Sequence, residues 1–119
     1  MEIQVPYGDG FQKAQIPDDI PVQVICPPSR QDVEPVEQLI REAMDHPVGT
    51  PLLEEMVGPG QKITIVVNDH TRPGPSKAMA EEVLRRLKKA GVEDDQIHFV
   101  IATGSHRAST EKELKHMLG

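Results

Sequence analysis

The chain has 119 residues, enough for one small domain with a modest core but too few for two full domains. Only 3% of its residues are aromatic and it has no tryptophan, so a core must be mainly aliphatic. Its net charge of −6, without a pronounced basic run, excludes the electrostatic pattern of a nucleic-acid-binding protein. One cysteine, no signal peptide and no long apolar run predict a cytoplasmic protein that does not enter a membrane.

The first 60 residues are acidic and rich in proline, with 3 basic against 11 acidic residues and nine of the 11 prolines. Apolar and polar residues alternate over residues 3–7, and Gly-Asp-Gly at 8–10 supplies a turn, which together predict a β-hairpin. Residues 22–25 form another apolar run and predict a short strand that the following prolines stop.

A helix is predicted after these prolines. Ser29 or Asp32 can cap it, and apolar residues at helical spacing follow over residues 36–43. The helix is expected to end before Pro47, and one further helical turn is expected near residues 52–56.

The second half contains the clearer elements. Residues 62–67 read KITIVV, a β-branched run that predicts a strand buried on both faces. A strong helix is predicted over residues 76–90, with charge pairs such as Glu82 and Arg86 on its outer side and a glycine as its stop. Residues 97–102 predict a second buried strand.

Thr110 and Glu113 form a capping box for a last helix. Strand, helix, strand and helix with short connections make a βαβ unit, for which parallel pairing is expected. We therefore predict an α/β fold: an N-terminal β-hairpin followed by a βαβ unit with a mostly parallel, Rossmann-like sheet.

Both predicted strands of the second half end in clusters of chemically active side chains. The first cluster is Asn-Asp-His-Thr-Arg-Pro at residues 68–73, and the second is Thr-Gly-Ser-His-Arg at residues 103–107. Because ligands of parallel sheets gather beyond the carboxyl ends of the strands, we expect the two clusters to lie side by side. Together they would bring a carboxylate, imidazoles and guanidiniums to one edge of the sheet.

Each candidate residue also has a simpler structural explanation. Asp69 can be an Asx-turn residue, and Arg72 can either bind a substrate carboxylate or pair with Asp69. His106 can exchange a proton near neutral pH, or it can be merely solvated. His70 and His106 could hold a metal only with a third ligand. The common nucleotide and nucleophile motifs GxGxxG, GxxxxGK[ST] and GxSxG are absent.

The two clusters together resemble the N-terminal region of the nickel-pincer-dependent lactate racemase family. The DxTRP element at residues 69–73 and the TG[ST]HR element at residues 103–107 match that family in order, in separation and in position at strand ends. The resemblance implies that residues 1–119 are the N-terminal part of a catalytic domain in a larger, two-domain protein. In that part, residues 1–60 would form the hairpin, short strand and helix, and residues 61–119 the βαβα unit.

The family implies racemisation of a small 2-hydroxy acid such as lactate. Its members hold nickel in a pincer nucleotide derived from nicotinic acid, and the C2 hydride of the substrate passes to that cofactor and returns to either face. Two histidines alternate as base and acid on the substrate hydroxyl. This isomerase activity would belong to the full-length protein, and the present piece alone is expected to be inactive.

The resemblance also implies roles for individual residues. His106 matches one of the two catalytic histidines, and Arg72 matches an arginine that orients the substrate carboxylate. Asp69, together with Thr71, is expected to help bind the cofactor and arrange the site. The second catalytic histidine, the lysine that tethers the pincer and the histidine that ligates nickel are expected outside this sequence, so no metal ligand is predicted in it.

Two other functions stay open from the residues alone. The same side chains could form a structural ion network in a non-catalytic α/β binding module, or the strand ends could bind an anion or phosphate in an enzyme of another reaction class. The expected partners are the hydroxy acid and the rest of the protein's own chain. Apolar surface left open in this piece is expected to make it self-associate.

Overall fold

The computed structural model of the chain describes residues 1–28 and 33–119. They belong to two compact units, Met1–Gln31 and Asp32–Gly119, each of which has its own fold. The helix cap predicted at Ser29 or Asp32 lies outside the described residues. Within the described ranges, none of the helices has both the length and the apolar character that crossing a membrane requires.

The first unit is built on an antiparallel β-hairpin, as predicted. Strand β1 covers Glu2–Tyr7 and strand β2 covers Gly10–Gln15, with Tyr7 paired to Gly10. Gly8 opens the turn with a φ of 57°, a left-handed conformation that glycine adopts without steric strain. The Gly-Asp-Gly sequence therefore does mark the turn of a hairpin.

The short strand predicted at residues 22–25 is wrong. Residues 21–28 have no regular secondary structure, and Val24 and Ile25 are 64% and 85% exposed. A strand needs a partner for its backbone hydrogen bonds, and the prolines that flank this run have no N–H to donate. An apolar run without a pairing partner in the described part of the chain stays irregular.

The described residues of the second unit contain two strands and four α-helices. The elements are α1 (Val36–Asp45), α2 (Leu53–Met56), β3 (Ile63–Asn68), α3 (Ser76–Lys89), β4 (Ile97–Ala102) and α4 (Glu111–Leu118). Strands β3 and β4 pair in parallel, with Ile63 opposite Ile97 and Asn68 opposite Ala102, and α3 lies between them in the chain. The predicted α/β fold, a hairpin followed by a βαβ unit, is confirmed.

The core of the second unit is small and aliphatic. Leu87 and Val92 are 0% and 2% exposed, and Ala80 and Met117 are also buried. Helices α1, α2 and α4 all contact α3, so α3 is the central helix of the unit. Since α4 contributes Met117 to this core, its N-terminal end is held at a fixed position relative to α3.

One face of the β3–β4 sheet is open. Side chains alternate between half-buried and exposed along both strands, and Val66 and Val100 are 66% and 46% exposed. These two valines are register partners, so they lie on the same face. The predictions of a strand buried on both faces at residues 62–67 and of a second buried strand at residues 97–102 are therefore wrong here. The self-association expected from open apolar surface stays a prediction.

Arg86 of α3 is the buried centre of an ion cluster that joins three helices. Its Nε lies 2.7 Å from Glu82 Oε1, its Nη2 lies 2.7 Å from Asp45 Oδ1, and its Nη1 lies 3.5 Å from Glu54 Oε2. The guanidinium also donates to two backbone carbonyls of α1. Arg86 is 2% exposed, so the prediction that it pairs with Glu82 on the outer side of the helix is wrong, because α1 and α2 pack over that side.

Candidate active site

The carboxyl ends of β3 and β4 bring the two polar clusters together. The strands end at register partners, Asn68 and Ala102, so the loop that follows β3 starts beside the loop that follows β4. In the second loop, Gly104 has a φ of 56°, and the backbone N–H of His106 donates to Thr103 O at 2.9 Å. This tight turn directs residue 106 back toward the first loop, and the predicted juxtaposition of the two clusters is found.

Asp69 and His106 form a direct pair across the two loops. His106 Nδ1 lies 2.6 Å from Asp69 Oδ2. Asp69 is 2% exposed, whereas the His106 side chain is 48% exposed. His106 therefore has one ring nitrogen on a buried carboxylate, and its Nε2 makes no hydrogen bond with any residue that the structure describes.

The second oxygen of the Asp69 carboxylate is held by Thr71. The Thr71 hydroxyl donates to Asp69 Oδ1 at 2.7 Å, and the Thr71 backbone N–H donates to the same atom at 3.2 Å. The hydrogen bond from the Thr71 hydroxyl, followed by that from His106, lowers the pKa of Asp69 to about 2. Asp69 is thus ionised at neutral pH and accepts hydrogen bonds only, which places the proton of a neutral His106 on Nδ1 and leaves the lone pair on Nε2.

Arg72 lies at the same edge but does not pair with Asp69. Its backbone N–H donates to Asp69 O at 3.2 Å, while its guanidinium forms no hydrogen bond or ion pair within residues 1–28 and 33–119. The side chain is exposed and lines a cavity of about 320 Å³ together with Asp69, Ser105 and His106. The alternative explanation, in which the Arg72 guanidinium pairs with Asp69, is therefore not observed in the described residues.

A second polar network lies next to this pair and was not foreseen from the sequence. Glu113 accepts two hydrogen bonds from the Arg107 guanidinium, at 2.7 and 2.9 Å, and its Oε1 lies 3.4 Å from His70 Nε2. His70 Nδ1 lies 3.3 Å from Ser109 Oγ. The capping box of Thr110 and Glu113 was predicted and is present, but a capping motif gives no signal of what else its glutamate binds.

The described residues do not form a metal site on their own. No three histidine, cysteine, aspartate or glutamate side chains converge within the two described ranges. The two candidate histidines, His70 and His106, are held by separate partners, Glu113 with Ser109 and Asp69 respectively.

Comparison with known proteins identifies the family. A family model described as the lactate racemase N-terminal domain matches residues 7–119. The lactate racemase of Lactiplantibacillus plantarum is 37% identical over 83 residues, which are 70% of this chain and 19% of that protein. The lactate racemase of Thermoanaerobacterium thermosaccharolyticum is 29% identical over 120 residues, covering 98% of this chain and 28% of that protein.

A solved structure agrees with this result. The lactate racemase apoprotein from Thermoanaerobacterium thermosaccharolyticum superposes on the whole chain with a TM-score of 0.67 at 26% identity, and the match covers 27% of that protein. The chain thus spans 19% and 28% of the lengths of these two curated relatives. With the family model matching nearly its full length, the chain belongs to the lactate racemase N-terminal domain family.

Proposed function

We propose that this chain supplies one half of the active site of a nickel-dependent racemase of 2-hydroxy acids such as lactate. The observation that carries the proposal is the Asp69–His106 pair at a cavity that both His106 and Arg72 line, where His106 Nε2 has no hydrogen bond within the described residues. Membership of the lactate racemase family supports the reaction class, and the activity is proposed for the larger protein of which such a domain is part.

His106 is proposed as a general base and acid on the substrate hydroxyl. When the C2–H bond breaks and hydride leaves, the carbon can become a carbonyl only if the hydroxyl proton leaves as well. His106 Nε2 takes that proton, and the C2–O bond becomes a double bond, giving the 2-keto acid. The resulting imidazolium is stabilised by the Asp69 carboxylate, 2.6 Å from Nδ1. Return of the proton and of the hydride reverses the step.

Arg72 is proposed to bind the carboxylate of the substrate. That carboxylate stays anionic in both the hydroxy acid and the keto acid, so it needs a partner that is always charged. A guanidinium can form two parallel hydrogen bonds with it and so fixes the position of C2 relative to His106. The exposed guanidinium of Arg72 is available for this contact within the described structure.

The remaining groups of the reaction are proposed to lie outside this sequence. When bound, the nickel-pincer nucleotide would accept the C2 hydride and return it. Asp69 and Thr71 are proposed to arrange the site beside it, since their polar side-chain atoms already bind each other and His106. The rest of the protein would supply a second histidine, the lysine that tethers the cofactor and the histidine that ligates nickel. We also propose that the protein is cytoplasmic.

The test is racemisation by the full-length protein that contains this chain, matured with its nickel cofactor. His106→Ala is expected to lower kcat for interconversion of D- and L-lactate by about 10²- to 10⁴-fold, the usual contribution of a general acid or base. His98→Ala is the matched control, because His98 is an exposed histidine of β4 on the open face of the sheet and should leave the rate unchanged.

Circular dichroism would establish that both variants keep the fold. Normal turnover of His106→Ala would contradict the assignment and favour a non-catalytic binding module. No lactate turnover in the wild-type holoenzyme would contradict the proposed substrate.

A further inference from the structure

The loop that carries His106 is not held by the sheet. Strand β4 ends at Ala102, so His106 lies four residues beyond the last strand residue and four residues before the N-cap of α4, Thr110. Outside its own short turn, residues 103–110 need other contacts to fix the imidazole. A base acts efficiently only when its position relative to the reacting atom is fixed, so what holds this loop matters to the chemistry.

One carboxylate contacts the chain neighbours of both partners in the Asp69–His106 pair. His70 directly follows Asp69 and lies 3.4 Å from Glu113 Oε1. Arg107 directly follows His106 and donates two hydrogen bonds to Glu113. Glu113 is therefore one of the side chains that join the loop after β3 to the loop after β4, beside the Asp69–His106 pair and the contact of His70 with Ser109.

Glu113 is itself well placed to hold both loops. It lies in the first turn of α4, where its Oε2 accepts from the Thr110 backbone N–H at 2.7 Å, and α4 is anchored through buried Met117. The two hydrogen bonds from Arg107 keep the pKa of Glu113 well below its usual range, so it is ionised at every pH of interest. The Glu113 side chain is 25% exposed, against 60% for Arg107, so the carboxylate is the more enclosed member of the pair.

We propose that Glu113 is a positioning residue that fixes the Asp69–His106 pair by holding the chain neighbour of each partner. Besides its cap contacts with Thr110, Glu113 contacts Arg107 and His70 and does not line the cavity beside His106, so it acts through the loops and not on substrate. The effect of Glu113 on catalysis rests on the proposed function of His106. Its effect on the position of the Asp69–His106 pair does not.

The test observes the histidine rings directly. The chain has five histidines, so 15N-histidine labelling gives a simple spectrum, in which His106→Gln identifies the signals of residue 106. In the wild-type full chain, the neutral form of His106 is expected as a single tautomer with the proton on Nδ1, because Nδ1 lies beside the Asp69 carboxylate. Glu113→Gln keeps an acceptor for the cap but removes the charge that holds Arg107 and His70, and it is expected to give a mixture of both tautomers.

Two variants separate positioning from capping. Thr110→Ala removes the capping hydroxyl but leaves the Glu113 carboxylate, and Glu111→Gln removes a charge from the same helical turn outside the network. Both are expected to keep the wild-type His106 tautomer. An unchanged His106 tautomer in Glu113→Gln would overturn the proposal. An equally mixed tautomer in Thr110→Ala would also overturn it, since Glu113 would then serve only the helix cap.

The readout is independent of the proposed reaction, because the spectrum needs no substrate, cofactor or turnover. If the racemase assignment failed, the tautomer result would still decide whether Glu113 positions the pair. In an active holoenzyme, Glu113→Gln is further expected to lower kcat between about 10- and 100-fold with KM unchanged, since it displaces the base and not the Arg72 contact. A change in KM alone would contradict positioning of His106.

Discussion

Arg86 and Asp69 are both 2% exposed, yet the two buried charges lie in very different surroundings. Around Arg86, three carboxylates and two backbone carbonyls from α1, α2 and α3 enclose the guanidinium within the protein. Asp69 also has its oxygens bonded, but its partner His106 is half exposed and keeps one ring nitrogen directed away from the pair.

The difference separates a structural ion cluster from a candidate chemical site. Burial of a charge is common to both and does not by itself indicate function. What distinguishes the second region is that the charge is bound to His106, whose Nε2 has no hydrogen bond within the described residues and whose side chain lines a cavity. The comparison predicts that changes around Arg86 affect stability, whereas changes around Asp69 affect protonation.

The largest effect is expected from Arg86→Ala. Removing the guanidinium takes the buried cation away from the enclosed carboxylates of Glu82 and Glu54. They keep only the exposed cations of Arg85 and Lys89, so the free energy of unfolding should fall by about 3–5 kcal/mol. Urea denaturation monitored by circular dichroism measures this loss. Arg85→Ala is the control, since Arg85 binds the same Glu82 but is 55% exposed and should cost less than about 1 kcal/mol. An equal loss of unfolding free energy in the two variants would show that the enclosed ion pairs of Arg86 stabilise the fold no more than the exposed pair of Arg85.

An intermediate effect is expected on acidification. Hydrogen bonds from Thr71 and His106 lower the pKa of Asp69, and those from Arg85 and Arg86 lower the pKa of Glu82, in both cases to about 2 from usual values of 3.8 and 4.5. Because the folded pKa lies below the unfolded one, both groups stabilise the fold above about pH 4.5 and lose that contribution as the pH falls toward 2.

The urea concentration at the unfolding midpoint should therefore decrease as the pH is lowered from about 4.5 to about 2. The decrease should be less steep in Glu82→Gln or in Asp69→Asn than in the wild type. Measuring both variants shows how much of the acid sensitivity each region contributes. A midpoint that does not change over this interval would contradict the hydrogen-bonding account of both carboxylates.

The smallest effect is expected from Thr71→Val. The Thr71 hydroxyl is the main cause of the low Asp69 pKa, so its loss should raise that pKa from about 2 toward the usual 3.8 while the fold is retained. A 13C-NMR titration of the aspartate carboxyls measures the change. Ser105→Ala, in the neighbouring loop, should leave the Asp69 pKa at its wild-type value, and an equal rise there would show that the shift does not depend on Thr71.

The regular elements of the second unit could be predicted closely because local sequence specifies them. The β-branched run predicted at residues 62–67 became Ile63–Asn68, and the helix predicted at 76–90 became Ser76–Lys89. The strand at residues 97–102 has the predicted bounds. In each case an apolar pattern of the right period ends at a glycine or a polar cluster, and no distant residue is needed to decide it.

The failures concern partners that only the folded chain can choose. Residues 22–25 have the composition of a strand, but a strand requires a second one beside it. Glu82 and Arg86 have the spacing of a surface pair, and only the packing of α1 and α2 encloses them. Asp69 likewise pairs with His106 and not with Arg72 because the tight turn after β4 brings His106 to it. The residue types in the two clusters do not predict that turn.

The parallel register of β3 and β4 has a consequence for any copy of the chain that folds incorrectly. The hydrogen bond between Asp69 and His106 joins residues 37 positions apart, and it is found in the register that places Asn68 opposite Ala102. A slip of one residue would displace one loop by about 3.3 Å and turn its side chains to the other face of the sheet. A mispaired molecule would thus lack the imidazole oriented by Asp69, so an error in strand pairing would remove the Asp69–His106 pair and not merely distort it.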